Sequence, residues 1–106
     1  MNKEKILKKS EDFTKIINKN HSVKSKYFSI YYQPSEKVHY GITVPTKIGH
    51  AVVRNKLKRQ VKNIIYNNEK DIQQSFNYVI IIKEATKSLD YAGLEKELLY
   101  IIKKVR

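Results

Sequence analysis

Residues 54–62 place five cations within nine positions of the chain. An α-helix turns about 100° per residue, which puts Arg54, Lys58 and Lys62 on one row and Asn55 and Arg59 beside it. The apolar residues of the same segment would cluster on the opposite side of the helix: Val53, Leu57, Val61, Ile64 and Ile65. This pattern predicts a helix with one face for a protein core and one face for anions.

The positive charge of the chain is concentrated in its middle. Residues 13–68 hold eleven Lys or Arg and a single acid, Glu36, and so carry +10 of a formal net charge of +12. A purely solubilising face is the alternative interpretation of a charge run. Like charges that lie close together repel each other and destabilise the folded protein, however. Binding to a phosphate backbone offsets this repulsion and is favoured by the release of counterions. The distribution therefore favours a nucleic-acid-binding protein.

Length and composition indicate one domain, residues 1–106, with 41% apolar residues and no cysteine. The missing cysteines exclude disulfides, thiolate metal sites and a Cys nucleophile, and they fit a reducing cytoplasm. The longest apolar run, residues 78–82, is far too short to span a membrane. A basic helix could bind a membrane surface, but this one lacks the bulky Trp, Phe and Leu anchors of such helices. We expect a cytoplasmic protein.

The first half of the chain predicts one helix and two strands. Ser10 can cap a helix over residues 11–18, and residues 18–26 are polar and irregular. Residues 27–33 alternate as a strand that places Ser29 and Tyr31 on one face. Residues 38–44 predict a second strand, which we expect to be the hairpin partner of the first.

The second half predicts two helices around one strand. The basic helix should end near Asn67, and residues 69–75 could add another turn. Residues 78–83 form a continuous apolar run, typical of a buried strand. Asp90 is a suitable N-cap for a final amphipathic helix, whose apolar positions are Leu94, Leu98, Ile101, Ile102 and Val105.

The order of elements is helix, two or three strands, helix, strand, helix, which predicts an α+β fold. Helices would cover one face of a sheet, because a sheet and an amphipathic helix each need a partner for their apolar side. The other face would stay partly open. We expect Ser29 and Tyr31 to lie there, in a candidate groove.

The residues needed for protein-borne catalysis are missing. Acids are few and sit at predicted helix ends, so a site with several converging carboxylates for metal ions is not expected. His21, His39 and His50 lie in separate segments without zinc-like spacing. Three glycines leave no Gly-rich phosphate loop. We expect neither a catalytic nor a metal-ligating residue in this chain.

The run from Lys47 to Arg59, Lys-Ile-Gly-His-Ala-Val-Val-Arg-Asn-Lys-Leu-Lys-Arg, resembles the signature of the bacterial ribonuclease P protein family. Residues 8–13, 27–31, 78–82 and the final helix also match the family pattern. The resemblance implies the element order α-β-β-β-α-β-α, with a four-stranded sheet covered by helices. It also implies a left-handed βαβ crossover, which sequence reasoning would not predict, since such crossovers are right-handed in about 98% of cases.

The resemblance implies that the chain is the protein subunit of a ribonucleoprotein endonuclease. The RNA component would supply the catalytic site with Mg²⁺ that it mainly holds itself. The complex would remove the 5′ leader of precursor tRNA. The implied partners are ribonuclease P RNA and precursor tRNA, with no membrane and no small-molecule substrate.

The resemblance also implies two binding surfaces. One would dock on the catalytic RNA through Lys47, Arg54, Asn55, Lys56, Lys58, Arg59 and Lys62. The other would hold the single-stranded leader of precursor tRNA between Phe13, Ile17, Ser29, Tyr31, Arg54 and Asn55. Lys56 and Lys62 stand where the family often has Arg, which keeps the charge and loses the bidentate fork. Ile17 stands where Phe is common and loses base stacking.

Three alternatives remain, and the first of them needs the same charge. A non-catalytic RNA-binding module, such as a ribosomal protein or an RNA chaperone, would bind RNA without affecting tRNA 5′ processing. A DNA-binding helix-turn-helix protein needs a short helix just before the recognition helix, whereas Pro45 and a strand precede this one. A protein-only nuclease would keep its activity after removal of all RNA.

Overall fold

The computed structural model describes residues 21–105, which contain four strands and two α-helices. The strands are β1 (Ser22–Lys24), β2 (Phe28–Pro34), β3 (His39–Thr43) and β4 (Phe76–Ile82). The helices are α1 (Ala51–Asn67) and α2 (Tyr91–Ile102). Short 3-10 turns at Thr46–Ile48, Glu69–Asp71 and Glu84–Ser88 lie between them. The predicted helix over residues 11–18, with Phe13 and Ile17, lies outside the described residues.

The sheet order is β1-β2-β4-β3, so the strand pairing departs from the prediction of a β2–β3 hairpin. β2 pairs antiparallel with β1 and β4, whereas β3 pairs only with β4, in parallel. The hairpin prediction is wrong because β4 is the most apolar strand and is buried on both faces, with Val79 and Ile80 at most 1% exposed. The interior of a sheet suits such a strand best.

The parallel pairing of β3 and β4 makes β3-α1-β4 a βαβ unit. Parallel neighbours cannot be joined by a tight turn and need a crossover, which α1 provides. The four-stranded sheet, the helical cover and the α+β class are thereby confirmed. The left-handed sense of the crossover stays a prediction.

One hydrophobic core lies between the sheet and the two helices. Alternate residues of β2, β3 and β4 point into it, among them Phe28, Ile30, Tyr40, Ile42, Phe76, Tyr78, Ile80 and Ile82. The helices contribute the predicted residues Leu57, Val61, Ile64, Ile65, Leu94, Leu98, Ile101 and Ile102, and Val105 closes the end. Burying a side chain of this size stabilises the fold by roughly 1.5–3 kcal/mol each before entropy is counted.

Side-chain caps fix the ends of the helices. The Asp90 carboxylate accepts a hydrogen bond from the Gly93 amide at 2.8 Å, which confirms the predicted N-cap of α2. At the end of α1, the Asn68 side-chain amide donates to the Ile64 carbonyl at 2.8 Å and to the Glu95 carboxylate at 3.1 Å. Asn68 therefore both ends α1 and ties it to α2.

Two details of the predicted α1 faces are wrong. Val53 is 38% exposed, because the first turn of α1 faces a surface pocket and not the core. Arg54 and Lys62 are half-buried and do not oppose the core. The helical rotation explains this, since Arg54 lies only about 20° from both Val61 and Ile65 around the helix axis. The row through Arg54, Lys58 and Lys62 therefore borders the core.

No helix in residues 21–105 is long and apolar enough to cross a membrane.

Candidate nucleic-acid interface

The turn before α1 depends on a glycine. Gly49 has φ 156° and ψ −166°, a backbone region that is essentially restricted to glycine. It follows the 3-10 turn Thr46–Ile48, on which Lys47 is exposed while Ile48 is fully buried. The Gly49 conformation therefore sets how the chain turns from the anchored Ile48 into α1.

Arg54 is held against this turn. Its Nε donates a hydrogen bond to the Gly49 carbonyl at 3.1 Å, and the residue is half-buried. The two terminal nitrogens of the guanidinium keep their own N–H donors, which can fork onto one phosphate. The Gly49 carbonyl thus orients Arg54 before any ligand arrives.

Most of the other predicted binding residues of α1 are exposed to solvent. Asn55, Lys56, Lys58 and Arg59 are exposed, and Lys62 is half-buried. α1 contains no Asp or Glu, so none of its five cations is neutralised by an acid of the same helix. No hydrogen bond or ion pair engages the Lys56, Lys58, Arg59 or Lys62 side chains within residues 21–105. We call α1 together with Lys47 the basic face.

The sheet face turned away from α1 and α2 carries the second group of predicted residues. The strand register aligns Ser22, Tyr31, Val79 and Gly41 in one row across the sheet, and Lys24, Ser29, Ile81 and Thr43 in the next. Tyr31 is half-buried, whereas Ser29 is only 7% exposed. Val79, in the same row as Tyr31, is only 1% exposed, so the centre of this surface is covered, while Tyr31 and the exposed Lys24 remain accessible at β1 and β2. We call this surface the open face, and Tyr31 is its main aromatic group.

Lys24 and His39 belong to the open face and were missed by the sequence reasoning. The Lys24 ammonium lies 5.4 Å from the centre of the Tyr31 ring, within cation–π range. His39 Nδ1 lies 2.9 Å from Asn77 Oδ1 and donates to it in the tautomer that protonates Nδ1. Lys24 falls in a segment that we predicted to be irregular, and β1, with three residues, is too short to show a periodicity that could have revealed it.

The structure groups the predicted RNA-docking residues but does not join them to Ser29 and Tyr31, and Phe13 and Ile17 of the predicted leader site lie outside the described residues. Lys47, Arg54, Asn55, Lys56, Lys58, Arg59 and Lys62 lie on α1 and the turn before it. Ser29 and Tyr31 lie on the opposite face of the sheet. Among residues 21–105, no hydrogen bond or ring contact links Arg54 or Asn55 to Ser29 or Tyr31. Their shared role in leader binding stays a prediction.

The ionisable groups with shifted pKa values are structural. Burial raises the pKa of Tyr78, whose hydroxyl donates to the Gln73 carbonyl at 2.6 Å, and raises the pKa of Tyr40, which stacks on Tyr78 at 5.5 Å. Both phenols therefore stay neutral at physiological pH. Within the described ranges, no three His, Cys, Asp or Glu residues come together as metal ligands would.

Comparison with known proteins identifies the family. The family Ribonuclease P matches residues 1–106. The ribonuclease P protein component of Mycoplasma mycoides is 38% identical over 109 residues, with all of both chains covered. That of Streptococcus agalactiae is 35% identical over 105 residues and covers 97% of this chain and 95% of its own.

Solved structures share the fold. A Staphylococcus aureus RNase P protein mutant with defective mRNA degradation activity superimposes with a TM-score of 0.89 at 29% identity, covering 95% of this chain and 87% of that one. The RNase P protein from Thermotoga maritima gives 0.88 at 28% identity, over 94% and 96% of the two chains. Sequence and fold agree over nearly the full length, and the chain belongs to the ribonuclease P protein family.

Proposed function

We propose that this chain is the subunit that binds the catalytic RNA of ribonuclease P through its basic face. One observation carries the proposal: α1 presents five cations and no acid. Their mutual repulsion opposes folding unless an anion offsets it, and each phosphate they neutralise releases counterions. Arg54, which the Gly49 carbonyl orients, would fork onto one phosphate, while the lysines act as point charges.

The open face would receive the 5′ leader of precursor tRNA. Tyr31 offers a ring on which an unpaired base can stack, and Lys24 lies beside it to meet the phosphate backbone. Base–aromatic stacking contributes roughly 1–3 kcal/mol per base and tolerates any sequence. Such a surface suits leaders that differ from one precursor to the next. Ser29 would make little contact with the leader, since its side chain is only 7% exposed.

The protein would raise the efficiency of leader removal without performing the chemistry. We propose that the RNA component holds the Mg²⁺ ions and hydrolyses the phosphodiester bond, in the cytoplasm. The contribution of the protein is then positional: one surface binds the catalytic RNA and the other holds the substrate. A general RNA-binding module is the remaining candidate, and only a processing assay separates the two.

Processing of a precursor tRNA tests this proposal. Cleavage at low Mg²⁺ would be measured in three mixtures: a bacterial ribonuclease P RNA with the protein, the RNA alone, and the protein alone. Arg59→Ala removes an exposed cation of the basic face, and Lys96→Ala is the matched control on α2. We expect cleavage at the mature 5′ end only when RNA and protein are both present. Arg59→Ala should weaken binding of the protein to the RNA, and Lys96→Ala should not. Binding without any gain in processing would instead indicate the general RNA-binding module.

A further inference from the structure

A surface pocket of about 450 Å³ lies beside the basic face, and most of its lining belongs to neither predicted surface. Its walls come from the first half of α1 and from the connection that leads into α2. The lining residues are Val52, Val53, Lys56, Leu57, Gln60, Thr86, Lys87, Leu89, Asp90 and Tyr91. Lys56 is the one residue of this set that the predicted RNA-docking surface includes.

Two valines and one tyrosine that line the pocket are exposed to solvent. Val52 is 80% exposed, Val53 38% and Tyr91 36%, and all three face the same pocket. Covering these apolar groups with a ligand would release water from them and so favour binding. Tyr91 also offers an aromatic ring to that ligand.

The rim of the pocket is positive. Lys56 and Lys87 are exposed, and neither side chain has a hydrogen bond or an ion pair within residues 21–105. The Asp90 carboxylate is already engaged by the Gly93 amide, and the Thr86 hydroxyl donates to the Lys83 carbonyl at 2.7 Å. A ligand would therefore meet two ammonium groups, the Gln60 amide, the Tyr91 hydroxyl and the Asp90 carboxylate, which keeps its negative charge after accepting one hydrogen bond.

We propose that this pocket takes a single unpaired nucleotide of the catalytic RNA. The base would lie on Tyr91 between the valines, with its edge toward the Gln60 amide, and the flanking phosphates would lie on Lys56 and Lys87. The volume falls within the roughly 300–1,000 Å³ typical of small-molecule sites. RNA-binding proteins read unpaired, splayed-out bases through such aromatic and amide groups, since the deep groove of paired RNA is closed to side chains.

The catalytic RNA is the favoured source of this nucleotide because the pocket continues the basic face. Lys56 lines the pocket and lies about 60° from Arg59 around the axis of α1, so the pocket adjoins the Arg59 side of the basic face. The open face, which would hold the precursor, lies on the other side of the sheet. An apolar protein segment would match the valines, but it would leave the two ammonium groups without partners. The inference rests on the proposed function.

Affinity for a bacterial ribonuclease P RNA tests the pocket with a set of tyrosine variants. Tyr91→Ala should weaken binding about 5- to 150-fold, which corresponds to the loss of one stacked base. Tyr91→Phe keeps the ring and should bind like wild type. Tyr100→Ala is the matched control, since Tyr100 is exposed on the same helix and does not line the pocket. Equal affinity for Tyr91→Ala and Tyr100→Ala would overturn the proposal.

Crosslinking provides a second test that does not depend on the stability of Tyr91→Ala. The chain has no cysteine, so Lys87→Cys introduces a single attachment point for a photoreactive group. We expect a crosslink to one unpaired nucleotide, and crosslinks confined to paired helices would refute the pocket. If Arg59→Ala weakens binding while both pocket tests fail, the proposed function stands and the pocket does not. If wild type fails to bind this RNA, both are wrong.

Discussion

Replacing Gly49 with alanine should destabilise the fold through its backbone alone. The conformation at φ 156° and ψ −166° costs a residue with a side chain about 1–3 kcal/mol. A new Cβ would meet only ordinary contacts, the nearest being Val53 Cβ at 3.6 Å, so crowding adds nothing. Alanine also restricts the unfolded chain, which returns about 0.4–1 kcal/mol. With the middle of each range, the net loss should be about 1.3 kcal/mol.

Urea unfolding followed by circular dichroism would measure this loss. For a domain of this size, each kcal/mol lowers Tm by roughly 4–8 °C, so a thermal scan should agree. Gly93→Ala is the matched control, because Gly93 lies in α2 without a positive φ. There the tight approach of the new Cβ to Asp90 and Leu89, at 3.2 Å, opposes a helix-propensity gain of about 1 kcal/mol.

The same substitution should also affect RNA binding. If the backbone at residue 49 rotates to relieve strain, its carbonyl moves away from Arg54 Nε and the guanidinium loses its orientation. Affinity for the catalytic RNA should then fall for Gly49→Ala and not for Gly93→Ala. An unfolding midpoint for Gly49→Ala equal to that of wild type would refute the reasoning at its first step.

Four further outcomes are expected. Arg59→Ala should lower the slope of log affinity against log salt for the catalytic RNA by about one, and an unchanged slope would remove Arg59 from the interface. Tyr31→Ala should weaken binding of precursor tRNA relative to mature tRNA, so an unchanged ratio would exclude Tyr31 from the leader site. Asp90→Ala should cost about 0.5–2 kcal/mol of unfolding free energy through the lost N-cap, and denaturation at unchanged urea midpoint would contradict this. The pKa values of Tyr78 and Tyr40 are raised, so the folded chain keeps protons that the unfolded chain releases above about pH 10. The free energy of unfolding should therefore fall above that pH. Tyr78→Phe should reduce the fall when unfolding is measured between pH 9 and about pH 11.

Local signals in the sequence predicted the local elements well. The alternation in β2, the continuous apolar run of β4 and the Asp90 cap all lie where we expected them, within two residues at each predicted strand end. These features depend on neighbours along the chain, so the sequence records them directly. β1 was not predicted because a three-residue strand with one apolar residue, Val23, is too short to show a period, although the family resemblance implied a third early strand.

Features that depend on distant neighbours could not be predicted from the residues alone. The exposed Val53 follows from where α1 begins relative to the sheet and to the Glu84–Ser88 turn, whereas the place of Arg54 between Val61 and Ile65 already follows from helix geometry. The pairing of β2 with β4 joins strands that lie far apart in the chain, and no local pattern encodes that choice. The Lys24–Tyr31 contact depends on the β1–β2 register, which appears only once the sheet is built.

The central position of β4 has a consequence for the order in which the protein can be built during synthesis. β4 is the only strand that joins β3 to the rest of this sheet, yet residues 76–82 emerge from the ribosome late. Until they do, Leu57 and Val61 on α1 have no sheet to cover. Closing such long loops is slow, so the nascent chain carries an unsupported, highly cationic segment while residues 63–82 are added to it. Any early encounter with RNA would then involve a chain whose docking helix is not yet fixed in place.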